Sequence, residues 1–259
     1  MKIHRSGLIA ILLILVLTCT AALAAEQKTL FQTSTLQALM NGVYDADFSF
    51  AELAKHGDFG LGTFEALDGE MVALDGKFYQ VKADGKVYPV SPTQKTPFAE
   101  VTFFKAGQPL ELAETPDLKQ LGQHLSDRLP SPNFPYAIKI TGKFSYIKTR
   151  SVPRQAKPYP PLLEVSKHQA VFEFRDVEGV IVGFFNPNYL AGINITGYHF
   201  HFLTADRRAG GHLLDCRLKQ AKAEFARLDL IQLRLPGLKA FSETDLSGEK
   251  KQEIEKVEK

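Results

Sequence analysis

Cysteine is nearly absent from this chain. Two occur in 259 residues, Cys19 and Cys216, and Cys19 sits in an apolar N-terminal leader. Once that leader is removed, no intrachain disulfide is possible, and the fold must rest on its core. An excess of charge of one sign is missing as well: 31 basic residues stand against 29 acidic ones. A nucleic-acid partner or an anionic membrane surface would call for a basic patch, and none emerges. Repeats and low-complexity tracts are absent. Long apolar runs are scarce too. The one at Leu8–Leu17 has ten residues, against the ~20 that a bilayer span needs.

That short run has the flanks of a secretory signal. Lys2 and Arg5 precede it, and Ala22-Leu23-Ala24 follows as a small-x-small cleavage site. The expectation is a signal peptide over residues 1–24 and an exported protein, periplasmic or extracellular, with no membrane contact after cleavage. Lipidation at Cys19 is the alternative, but Thr18 fits a lipobox poorly. Cleavage after Ala24 leaves 235 residues with 29 charges of each sign. That length is enough for a sizeable core, as one large domain or two small ones.

Apolar periodicity places the elements. Thr33 to Asn41 carries Leu36, Leu39 and Met40 at helical spacing and stops at Gly42. Ser49-Phe50-Ala51-Glu52 is a capping box, with Gly57 beyond the helix it opens. Three Asp-Gly pairs, at Asp68, Asp75 and Asp84, announce a β-meander. Its predicted strands are 62–67, 70–74, 77–82 and 86–90, with a fifth over 99–105. A helix is expected over 116–129, capped by Thr115, before a proline-rich connector ending at Pro135. Then come a long strand over 136–149, an extended segment over 153–161, and a hairpin of 170–174 and 180–185 turning at 176–179. A strand at 231–235 and a charged tail helix carrying Leu246, Ile254 and Val257 complete the chain. The fold class is α+β (mixed α/β), with two strand-rich domains, 25–132 and 133–240, joined near Pro130–Pro135, and a tail over 241–259.

The chain has seven histidines, and three fall within the fourteen residues from His199 to His212. His199 and His201 are two apart, so on a strand both rings point to one face. If Ala205 to Gly211 form a hairpin turn, His212 returns beside His201. Three converging imidazoles are the ligand set of a catalytic zinc, with one position left open. The plain alternative is a half-buried polar strand. His4 leaves with the leader, and His56, His124 and His168 read as surface or capping residues.

Several blocks carry a likeness to a known family. They are Gly60-Leu61-Gly62-Thr63-Phe64, Leu67-Asp68-Gly69-Glu70, Thr96-Pro97-Phe98-Ala99, the run from Lys148 to Gln155 that contains Arg150, Gly192 to His201, and Gly210-Gly211-His212. The chain resembles the acetolactate decarboxylase family over most of its mature length. The resemblance implies conversion of 2-acetolactate to acetoin and carbon dioxide with bound zinc. It also implies a two-domain protein, commonly a homodimer, with the metal site between the domains. By resemblance, His199, His201 and His212 hold the metal, while Glu70, Arg150 and a tail glutamate folded back near the site act on the substrate. Glu258 is the choice for that glutamate, and Glu255, one turn earlier, is the alternative. Thr63 is a weaker candidate for a substrate hydrogen bond.

The chemistry asks for such groups. Loss of carbon dioxide leaves an electron pair that must be delocalised into the adjacent ketone as an enediolate. A Lewis-acid cation stabilises that charge. An arginine fork suits the departing carboxylate, and a carboxylic acid suits the protonation that follows. Glu70 could also be a fourth metal ligand. Taken singly, each residue has an ordinary reading: Glu70 as a carboxylate after a turn, Arg150 as one of a solvated basic trio, Glu258 as a paired helix charge, and Thr63 as a strand threonine. Two rivals remain. A cupin-like metal-dependent oxygenase or isomerase also presents His-x-His, but it usually adds a nearby acid, for which only Asp206 is available. An exported binder of metal or small acids would have the site without catalysis.

Overall fold

The computed structural model describes residues 28–248 and 250–258, without the side chains of Lys251, Glu255 and Glu258. The expected signal peptide, with Cys19, lies outside the described residues.

The strands in chain order are β1 (Thr29–Thr33), β2 (Phe48–Ser49), β3 (Phe59–Thr63), β4 (Glu70–Leu74), β5 (Lys77–Val81), β6 (Val87–Pro89) and β7 (Lys95–Thr96). They continue with β8 (Ala99–Thr102), β9 (Leu110–Leu112), β10 (Tyr136–Ser151), β11 (Ala170–Asn186), β12 (Gly197–Thr204), β13 (Gly210–Arg227) and β14 (Leu230–Arg234). Seven form a mixed sheet in the order β14-β1-β8-β3-β4-β5-β6. A second sheet runs β10-β11-β12-β13, and β13 pairs back onto β10, so it closes on itself, with β9 added along β13. β2 and β7 form a small separate ribbon. With few helices among these strands, the α+β class holds.

Asp-Gly chemistry builds the meander as expected. Gly69, Gly76 and Gly85 all take positive φ, the conformation such turns demand. The capping box is formed: Glu52 N–H donates to Ser49 Oγ, and Ser49 N–H donates to the Glu52 carboxylate. Other elements differ from the sequence reading. The first helix covers only Leu36–Met40, capped by Thr35, because β1 takes the residues before it. Glu65–Leu67, read as strand, is a 3₁₀ turn with Ala66 and Leu67 at positive φ. The later helix is Leu118–Ser126, and Asp117 caps it rather than Thr115. The hairpin expected at 176–179 is instead one unbroken strand, β11. Asp176 does take positive φ, but pairing to β10 continues on both sides of it, from Arg175 to Val177. The tail holds two helices, Lys239–Glu243 and Lys251–Glu258.

The sheets also exchange strands across the proline connector. β9 precedes Pro130 yet joins the closed sheet. β14 follows the histidine hairpin yet pairs parallel with β1 in the open sheet. Between the sheets lies a shared core: Leu30, Phe59, Leu61 and Val72 from one side meet Ala137, Val180, Val182, Phe184 and Leu203 from the other. A second core fills the closed sheet, around Ile138, Ile147, Phe200 and Phe202 under Leu121 and Leu125 of the Leu118–Ser126 helix. Cys216 is buried there, and burial, with Asp215 and Asp117 nearby, pushes its thiol up to about 12. It is a small apolar core residue at neutral pH.

Candidate metal centre and active site

Strand alternation decides what faces the seam between the sheets. On β12, Leu203 belongs to the inter-sheet core while Phe200 and Phe202 point into the closed sheet, so His199 and His201 face the seam. On β4, Val72 and Leu74 face the seam and carry Glu70 with them. The turn between β12 and β13 sets His201 directly opposite His212, as the spacing predicted. β13 then sets His212 opposite Arg150 on β10. Gly211, with φ +133, makes the last step possible: a Cβ there would lie 2.4 Å from the Arg150 carbonyl oxygen.

The three imidazoles are buried, and one nitrogen of each lies within 4.8 Å of the others. Ring centroids are 5.1 to 5.3 Å apart. The planes of His199 and His201 stand at 83° to one another. His201 Nδ1 lies 2.8 Å from the Met71 carbonyl oxygen, a contact in which the nitrogen must donate. This leaves Nε2 of His201 as its ligand atom. Burial pushes the His201 pKa well down, and the charges of His199 and Arg150 add to the effect, with the Met71 bond opposing. The ring is held neutral, the form that binds metal.

Glu70 and Arg150 complete the group. Glu70 Oε2 lies 3.6 Å from His201 Nε2, and Glu70 Oε1 lies 3.7 Å from Arg150 Nη1. Both side chains are buried. They line a small cavity that opens to solvent, whose other walls are apolar: Leu36, Leu39, Phe98, Val152, Leu162 and Ile195 among them. Thr63 lines it too, but its hydroxyl donates to the Gly69 carbonyl at 2.7 Å and so secures the turn that leads into Glu70. The side chains of Glu258 and Glu255 lie outside the described residues. The helix that carries them packs Val257 against the pocket-lining Leu36, Phe98, Val152 and Leu162. Asp206, the acid a cupin-like site would need, is in the exposed turn, where it accepts from Thr204 Oγ1 and Arg208 N–H.

Sequence reasoning missed Glu100. Its carboxylate is fully buried, with Oε1 3.4 Å from His199 Nδ1. The available signal was an acid at a seam-facing position of β8, between the core residues Ala99 and Val101.

Three buried histidines that could hold a metal, with a carboxylate and a guanidinium lining the same cavity, have the make-up of a metal-dependent enzyme's active centre. The sequence model of the alpha-acetolactate decarboxylase family matches residues 30–248, and the chain belongs to that family. It is 46% identical to alpha-acetolactate decarboxylase from Methylococcus capsulatus over 236 residues, covering 91% of each chain. The counterpart from Methanosarcina mazei is 46% identical over 230 residues, covering 89% of this chain and 80% of that one. The crystal structure of alpha-acetolactate decarboxylase from Bacillus subtilis strain 168 superposes with TM-score 0.87 at 38% identity, covering 89% of this chain and 99% of that one. The chain is thus an enzyme of this decarboxylase type.

Proposed function

We propose that the chain converts 2-acetolactate to acetoin and carbon dioxide at a zinc ion held by His199, His201 and His212. The observation that carries this reading is the convergence of three buried imidazoles within 4.8 Å of one another. The donor set fits the ion: three neutral nitrogen ligands suit zinc and leave a position for substrate. Bound there, zinc would supply Lewis-acid polarisation of the ketone and hydroxyl oxygens.

The chain's own side chains supply the rest. The Arg150 fork binds and orients the substrate carboxylate. As carbon dioxide leaves, the electron pair passes into the neighbouring ketone as an enediolate. A proton must then reach one face of that carbon. Glu70, beside Arg150, and Glu258 from the tail are the carboxyls assigned to this transfer. The apolar walls keep water from the reacting carbon and strengthen each charge contact inside.

Racemic 2-acetolactate given to the purified protein should yield acetoin. A chelator should stop the reaction, zinc should restore it, and metal analysis should find about one zinc per chain. Full-rate acetoin from metal-free protein would sink the zinc reading. The leader and the family resemblance further support an exported homodimer. The mature N-terminus from cell fractions and the mass in solution test those two points.

A further inference from the structure

Glu100 is an acid of the seam that the reaction above leaves without a task. It is 0% exposed. Removing a carboxylate from water is costly unless its oxygens are matched by donors. Oε2 is matched: it accepts from Asn186 Nδ2 at 3.2 Å and from Asn194 Nδ2 at 2.7 Å. Oε1 has no hydrogen bond of its own and lies 3.4 Å from His199 Nδ1.

Hydrogen-bond polarity makes this arrangement one-directional. Gln32 Nε2 donates to the carbonyls of Ser34 and Ile193, both at 2.8 Å, which turns Gln32 Oε1 toward Asn194. Asn194 Nδ2 then donates to Gln32 Oε1 at 2.7 Å and to Glu100, while Asn194 Oδ1 accepts from Ile195 N–H. Two backbone carbonyls thereby fix which way each amide points. The chain of donors ends at a carboxylate, which can only accept.

We propose that Glu100 is a positioning residue: it holds the proton of His199 on Nδ1 and so presents Nε2 to the metal, with its own orientation set by Gln32 and Asn194. This rests on the zinc reading above. It gives His199 the service that the Met71 carbonyl gives His201, but from a charged acceptor, which also makes the ring a stronger ligand.

Glu100→Gln tests it with almost no change of shape. Glutamine has one acceptor oxygen. That oxygen must face the amides of Asn186 and Asn194, which puts its NH₂ toward His199. Nδ1 then has to accept, and the proton moves to Nε2. Nitrogen-15 NMR of metal-free protein should show His199 as Nδ1–H in the wild type and Nε2–H in the variant. Chelator competition should show zinc bound about 10–100-fold more weakly by the variant. A wild-type His199 protonated on Nε2 overturns the proposal, and this holds even if Glu100→Gln fails to fold. An unchanged tautomer and zinc affinity in a folded variant overturn it too. A wild type with Nδ1–H that binds no zinc would instead sink the zinc reading while leaving the tautomer assignment standing.

Discussion

Arg150 and Thr63 line the same cavity, yet their partners differ. Arg150 is buried beside Glu70, and the proposed function sets the substrate carboxylate against it. Arg150→Ala should keep its zinc, because no ligand is touched, and lose about 10²–10³ in kcat, the usual loss for one electrostatic donor. Arg150→Lys should recover little, since a point charge does not reproduce a planar fork. Metal analysis beside steady-state kinetics checks both, and a lysine variant as fast as wild type would refute the geometric role. Thr63 donates to the Gly69 carbonyl. Thr63→Val leaves that acceptor unmatched, at a cost of roughly 1–3 kcal/mol. At this chain length that is a fall of a few degrees in Tm per kcal/mol. The melting point should therefore move more than KM. A raised KM with an unchanged Tm would return Thr63 to the substrate.

Elements read best where their signals are local. The histidine hairpin was legible because alternation and a Gly-rich turn together fix its register. The Asp-Gly meander was legible for the same reason. β11 was not: Arg175-Asp176-Val177-Glu178-Gly179 has turn composition, and Asp176 takes positive φ, but β10 pairs on both sides of it and carries the strand through. β14 was legible as a strand, but its pairing with β1, some two hundred residues earlier in the chain, was not. Its end is clamped: Arg234 Nη1 and Nη2 donate to the two oxygens of Asp47 at 2.6 and 3.0 Å, and Gly237 N–H donates to the same carboxylate. These bonds, Arg234 first, hold the Asp47 carboxyl below its usual value against the opposing effect of burial. A carboxyl with a lowered folded-state pKa stabilises above its unfolded value, near 4, and loses that contribution as pH falls through the lower folded one. Asp47→Asn should thus be less stable than wild type by about 1 kcal/mol at pH 6. The gap should close on acidification toward pH 2 in urea titrations. A gap that persists there would mean the clamp is not ionic.

At the scale of the whole molecule, the site exists because two sheets meet, and the tail helix packs against its wall. The three histidines and Arg150 come from the closed sheet, Glu70 and Glu100 from the open one. Local pattern showed the histidines. It could not show Glu100, whose meaning depends on Asn194, 94 residues away. The tail poses the same problem. Its composition reads as solvated helix, yet Val257 is 2% exposed among residues that wall the cavity. Burying such a side chain is worth about 1.5–3 kcal/mol, enough to hold one short helix down. A chain cut after Gly248 should keep its zinc, since the three histidines are untouched. It should lose about 10²–10⁴ in turnover if the tail also brings the acid for proton transfer. Two variants separate docking from chemistry. Val257→Asp should release the helix and reproduce the loss. Glu258→Gln should reproduce it with the helix still docked, and Glu255→Gln should not. A truncated chain that makes acetoin at the full rate would reduce the tail to a cover, and a defect in Glu255→Gln alone would move the acid back by one turn.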